Sequence, residues 1–117
     1  MAFSATVEQM RNGTKTVTRR DVNKWGSLVP GERLLVIEKG MGLRKGERQI
    51  VIGEIEIVDV RVEPLCDITD EDVAAEGFPG HDTAWFFENV WTTIHGHQPP
   101  HTPVRRIEFR HIAGDAS

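Results

Sequence analysis

Three cations and two hydroxyls fall within six residues, Lys15 to Arg20 ("KTVTRR"), in a chain whose formal net charge is −4. Arginine offers a planar fork of donors and lysine a point charge, so Lys15, Arg19 and Arg20 could contact phosphate or base edges. A carboxylate that could answer these cations is Glu76. It stands in the last turn of a predicted helix, where the macrodipole disfavours a negative charge, so a compensating cation, Lys15 or Arg20, is expected to face it across a cleft. That pair is expected to be partly buried and to contribute about 0–1 kcal/mol.

On spacing alone, the simpler reading of "KTVTRR" is a solvent-facing strand whose charges discourage edge pairing. Residues 15 and 18 also point oppositely on a regular strand. Joint action therefore requires Lys15 to sit in the turn before the strand begins. Trp25, in the loop "NKWGS", is the candidate stacking or gating aromatic, whereas Trp85, Phe86, Phe87 and Trp91 recur at helical spacing and read as core. His95, His97 and His101 share a proline-rich loop in which neither carboxylate nor thiol stands at ligand spacing, so no metal is expected. "EGFPGHD" lacks a phosphate-loop pattern, and no cofactor is expected.

The elements that must position these residues follow from pattern. "SATVEQMRNG" predicts a short helix capped by Ser4 or Thr6 and ended by Gly13, with Val7 and Met10 inward. Pro30-Gly31 marks a turn before a buried run, Leu34 to Ile37. "MGLRKGERQ" reads as a glycine-bearing loop. Ile50 to Val62 alternates as one long strand, with Ile55, Ile57 and Asp59 on one side, Glu54, Glu56 and Val58 on the other, and a bulge or bend at Gly53. "ITDEDVAAEG" predicts a helix capped by Thr69, with Asp72 in a capping box and Gly77 at its end. "TAWFFENVWTTIHG" predicts a second helix, capped by Asp82 or Thr83. "VRRIEFRHI" predicts a closing strand, and residues 113–117 a frayed tail. The sum is an α+β fold: a small, mostly antiparallel barrel with short helices at its side, closure removing exposed strand edges.

The 117 residues fit a single domain, and one cysteine, Cys66, excludes an internal disulfide and a thiolate zinc cluster. No apolar run is long enough to span a bilayer, and the N-terminus lacks a secretory pattern. A soluble cytoplasmic domain without membrane partners is expected. The acidic total argues against a general duplex-DNA coat protein, yet basic residues cluster in "KTVTRR", "RKGER" and "RRIEFRH" while acids cluster in "CDITDEDVAAE".

In order and content, "GTKTVTRR", "W...LVPGERLLVIE", "IGEIEIVDVRVEPLCDITDEDVAAEGFPG" and the final "VRRIEF" resemble the ASCH domain family, a relative of the PUA fold found in small proteins of bacteria and bacteriophages. The resemblance runs from about Phe3 to Phe109. Its specific parts are Gly-x-Lys-Thr-x-Thr-x-Arg from Gly13 to Arg20 and the "IT.EDV..EGF" segment. It implies a β-barrel with a cleft that binds RNA or another single-stranded nucleic acid. One branch of the family removes the acetyl group from 4-acetylcytidine, and the resemblance assigns its catalytic roles to Lys15, Thr18 and Glu76. It implies that Thr18 is a nucleophile whose proton a base takes, that Lys15 is that base where burial depresses its pKa, and that Glu76 orients Lys15 or shuttles the proton. Other members are ribonucleases. This chain departs from the compact amidohydrolases at Arg19, where they have an apolar residue, and in its longer, more aromatic "FPGHDTAWFFENVW" segment.

Overall fold

The computed structural model describes residues 1–3, 6–38 and 50–112. The "MGLRKGERQ" loop, the Ser4 cap and the tail expected from the sequence lie outside these residues. The described chain folds as α1 (Val7–Arg11), β1 (Val17–Asp21), β2 (Arg33–Ile37), β3 (Val51–Pro64), a 3-10 turn (Leu65–Asp67), α2 (Asp70–Ala75), α3 (Thr83–Phe86), a π-helical turn (Phe87–Trp91), α4 (Thr92–His95) and β4 (Pro103–Ile112). The four strands make one antiparallel sheet in the order β1-β4-β3-β2. The sheet curls into a half-barrel, with β1 and β2 as its outer strands rather than closed on one another. The N-terminal segment lies beside β2 through a parallel bridge between Ala2 and Ile37. Among the described residues no helix is long and apolar enough to cross a membrane.

Alternation along β4 divides the interior in two. Ile107 and Phe109 face a core with Phe3, Met10, Val36, Ile55 and Ile57. Val104 faces the other way, into a core that α2, α3 and the π turn build from Val73, Phe86 and Trp91. The long strand β3 stays in phase with the first core through an extra residue. Ile57 pairs with Phe109 and Asp59 with Glu108, so Val58 is unpaired and Val60 falls opposite Ile107. Sequence alternation put Asp59 on the Ile57 side; the bulge moves Val60 there instead. A second irregularity lies at the expected bend, where Gly53 pairs with Val36 and Val51 with Ile37. The run Leu34 to Ile37 is not uniformly buried. Val36 is buried, but Leu35 is 56% exposed, because among the described residues no layer covers that face of β2.

The helix starts and stops mostly follow the sequence. Gly13 adopts the left-handed conformation after α1. Thr6 occupies the α1 cap position but makes no side-chain cap hydrogen bond. Thr69 caps α2 by accepting from the Asp72 N–H at 3.2 Å. The reciprocal half of the capping box is replaced: the Asp72 carboxylate turns to Arg19 and Arg106. Asp82 caps α3, accepting from the Trp85 N–H at 2.9 Å.

Candidate functional site

Lys15 precedes β1 rather than lying in it, as joint action with Thr18 requires. The loop that carries it is tied down on two sides. The Gln9 carbonyl of the first helix accepts from the Lys15 N–H, and the Ala75 carbonyl accepts from the Thr16 N–H at 2.7 Å. His111 Nε2 on β4 donates to the Lys15 carbonyl at 2.6 Å. The side chain then runs to the C-terminal end of α2, where Lys15 Nζ lies 2.7 Å from Glu76 Oε1 and 3.0 Å from the Glu76 carbonyl. The expected pairing is present, but the expected partial exposure is not: Lys15 and Glu76 are each 3% exposed. The α2 terminus packs against the first helix and β1, so this pair sits inside the protein.

Arg19 completes the neutralisation. Its side chain is fully buried and meets three carboxylates: Glu76 at 3.1 Å, Glu63 at 2.8 Å and Asp72. Arg106, its cross-strand neighbour on β4, binds the other Asp72 oxygen at 2.9 Å. Two arginines directly opposite each other repel, and the shared Asp72 between their guanidiniums offsets that repulsion. A strand with Val17 as its single apolar residue gives no sign of such burial. Both faces of β1 are nonetheless covered, and the solvent-facing reading of "KTVTRR" does not hold. The sequence signal for Arg106 was only its place in "VRRIEF"; Asp72 read as a cap.

These partners set the protonation behaviour. Burial pushes the Lys15 pKa below the ordinary lysine value, outweighing the attraction of Glu76, while Arg20 and Arg19 push the same way. Burial would raise Asp72, but hydrogen bonds from Arg106 and Arg19 outweigh it and hold the carboxyl below its ordinary value. Burial also lowers Arg20 and His95.

A cavity of about 520 Å³ opens along β1, a size ordinary for small-molecule sites. Lys15, Thr18, Arg19, Arg20 and Glu76 all line it, so five of the six residues singled out from the sequence meet in one place. Trp25 does not line it. That residue is half-buried against the core formed with Phe3 and Val36, in a left-handed backbone conformation (φ 61°) that bulky residues rarely adopt. The aromatic surface comes instead from Phe86 and Trp91, read as core from the sequence, and from His95, read as a loop histidine, with Val90 and Ile94 beside them. In a π turn, i and i+5 come into line as i and i+4 do in an α-helix. The Phe87–Trp91 turn thus brings Phe86 and Trp91, and Val90 and His95, to one side. His95 stacks on Trp91 with ring centroids 4.0 Å apart, and Trp91 Nε1 donates to Gln98. No sequence pattern distinguishes this π turn from an ordinary amphipathic helix.

The remaining histidines have other neighbours: His81 stacks on Trp85 at 3.6 Å. Among the described residues no three His, Cys, Asp or Glu side chains converge as a metal site.

No protein-family model and no curated protein matches the sequence. Solved structures do match the fold. An ASCH domain from Lactobacillus crispatus JV V101 superposes with a TM-score of 0.59 at 17% identity, over 90% of this chain and 69% of that one. The fold is that of an ASCH domain. A DUF984 protein from Enterococcus faecalis V583 superposes with a TM-score of 0.55 at 15% identity, over 86% of this chain. The chain spans 63% of that protein's length. In this chain the "KTVTRR" strand and the α2 terminus lie side by side.

Proposed function

We propose that this ASCH-like domain binds RNA or another single-stranded nucleic acid, or a modified nucleoside, through the cavity along β1. The observation that carries this reading is the charge of the lining. Lys15, Arg19, Arg20 and Lys24 are set against one carboxylate, Glu76, among the described lining residues, in a chain of net charge −4. Arg20 and Lys24 stand toward the side where a ligand would enter, Lys15 and Arg19 lie deeper against carboxylates, and aromatic side chains line the same cavity, a combination that suits single-stranded nucleic acid. Titration of the intrinsic tryptophan fluorescence with short RNA oligomers tests it. Binding at low salt that weakens as salt rises is the expected result. No binding of RNA at low salt, or binding indifferent to salt, would overturn the nucleic-acid reading.

A second reading, hydrolysis of 4-acetylcytidine, is favoured by one observation: burial depresses Lys15 in the cavity that Thr18 also lines. Neutral Lys15 would take the Thr18 hydroxyl proton as Oγ1 attacks the acetyl carbonyl. The resulting ammonium would return that proton to the cytosine N4 as the C–N bond breaks, leaving acetyl-threonine. Water, deprotonated by Lys15, would then release acetate and regenerate the hydroxyl. Glu76 would hold Lys15 in place throughout. Incubation with 4-acetylcytidine, with cytidine and acetate quantified by chromatography, decides it. Loss of turnover in both Thr18→Val and Lys15→Met is expected; full activity in either would exclude this chemistry.

A further inference from the structure

Burial and charge are sorted along the depth of the cavity. Lys15, Thr18, Glu76, Phe86 and Trp91 are buried and form its floor, whereas Lys24 and Ile94 are exposed at its rim, with Arg20 and His95 between. The floor cations are already neutralised. Lys15 is bound to Glu76, and Arg19 to Glu76, Asp72 and Glu63. The rim cations are not. Among the described residues neither Arg20 nor Lys24 has a carboxylate within ion-pair distance. The Arg20 guanidinium donates to the Ala2 carbonyl at 2.7 Å and lies over the Phe3 ring, and among the described residues its buried Nε has no partner.

An anion therefore meets different surroundings at the two depths. At the floor it would lie beside the buried Glu76 carboxylate, a like charge in a low-dielectric site, which is costly. At the rim it would meet Arg20 and Lys24, with the His95 ring available as a further hydrogen-bond partner. The floor suits the opposite chemistry: a flat, uncharged ring with a hydrogen-bonding edge. Phe86 and Trp91 offer apolar and aromatic surface, and Thr18 and the Lys15–Glu76 pair offer donors and acceptors.

We infer that the cavity takes one nucleotide unit with its base inward and its phosphate at the rim, held by Arg20 and Lys24 with His95 beside them. This rests on the nucleic-acid or nucleoside reading above and adds a polarity and a phosphate subsite to it. Recognition is then of a phosphorylated unit, not of the nucleoside alone. Lys24 contributes charge without structural cost because it is exposed, whereas Arg20 also packs on Phe3 and so serves the fold.

Isothermal titration calorimetry with cytidine and with cytidine 5′-monophosphate, at low ionic strength, tests the inference. The monophosphate should bind about tenfold more tightly or better, as one new charge-assisted contact would give. Lys24→Ala should weaken the monophosphate several-fold more than cytidine. Arg33→Ala, which removes an exposed cation on β2 outside the cavity, should leave that preference as in the wild type. If cytidine binds and the monophosphate is no tighter, the phosphate subsite is wrong while the nucleoside reading stands. An undiminished preference in Lys24→Ala also overturns the subsite. If neither compound binds and RNA oligomers do not bind at low salt, the functional reading fails and the subsite with it.

Discussion

Lys15 Nζ makes two contacts with a single residue 61 positions away, the carboxylate and the carbonyl of Glu76. The carbonyl belongs to the end of α2, where backbone acceptors are otherwise unsatisfied, so the ammonium caps the helix and neutralises the carboxylate at once. This resolves the unfavourable placement of Glu76: the cation it needs is brought by the segment that leads into β1.

Because the pair is buried, removing one partner leaves an uncompensated charge. Glu76→Ala should destabilise the protein by about 3–5 kcal/mol, far above the value for exposed pairs. A double variant, Lys15→Met with Glu76→Leu, should recover much of that loss, since apolar replacement of a buried pair is often near neutral. Urea unfolding of the three proteins measures it. A loss under about 1 kcal/mol for Glu76→Ala would show that the pair behaves as a solvated one.

How far the site was legible depends on which residue is considered. Lys15 and Glu76 were visible because each carries a local anomaly: a cation cluster in an acidic chain and an acid at the wrong end of a helix. The burial of Arg19 was not visible. The acid near it in sequence, Asp21, is not its partner; Glu63 and Asp72 arrive from β3 and α2 through tertiary docking. The α+β order and the strands were legible from alternation. The Val58 bulge had a sequence signal that alternation alone passed over: the apolar positions change from Ile55 and Ile57 to Val58, Val60 and Val62, the change of phase that one extra residue makes. The wall formed by Trp91 and His95 depends on a π turn whose residues fit an α-helix equally well, and Trp25 was favoured as an accessible aromatic because loop sequence does not report packing.

Lys15 should leave a signature in the pH dependence of stability. Its folded pKa is depressed by burial, so between that value and the ordinary lysine pKa of about 10.4 the unfolded chain binds the extra proton. Stability contributed through this group therefore rises with pH across that window, and its cost is greatest below it. The urea midpoint of the wild type, taken relative to Lys15→Met, should increase as pH rises toward the ordinary lysine value of about 10.4. Parallel curves for the two proteins would show that Lys15 is not depressed.

Asp72 works in the opposite range. Hydrogen bonds from Arg106 and Arg19 hold its folded pKa below the ordinary value despite burial. Its contribution is fully present above the unfolded carboxylate pKa of about 3.9 and is lost as pH falls through the depressed folded value. Asp72→Asn should be less stable than the wild type near neutrality, and the gap should narrow in acid. A gap that stays constant through the acid limb would mean that the Asp72 charge does not hold Arg19 to Arg106.

The last prediction concerns the residue that lets α2 approach Lys15. Gly77 follows Glu76 with φ of 108°, and a Cβ there would lie 2.6 and 2.7 Å from the Gln9 side chain and 3.4 Å from Lys15 Cβ. Gln9 is also the residue whose carbonyl accepts from the Lys15 N–H. A methyl group at position 77 therefore strains the backbone and presses on the segment that aims Lys15 at Glu76. Gly80 provides the comparison, because it too has a positive φ, 86°, but its Cβ would meet nothing within 4 Å. Gly80→Ala should show the backbone cost alone, about 1–2 kcal/mol. Gly77→Ala should cost more, with the excess reflecting the displaced Gln9 side chain, and should also weaken ligand binding at the cavity because Lys15 shifts with it. Urea unfolding and the RNA titration, run on both variants, read the two effects. Equal stability losses at the two glycines, with ligand binding unchanged in Gly77→Ala, would show that the close approach of Gln9 does not position Lys15.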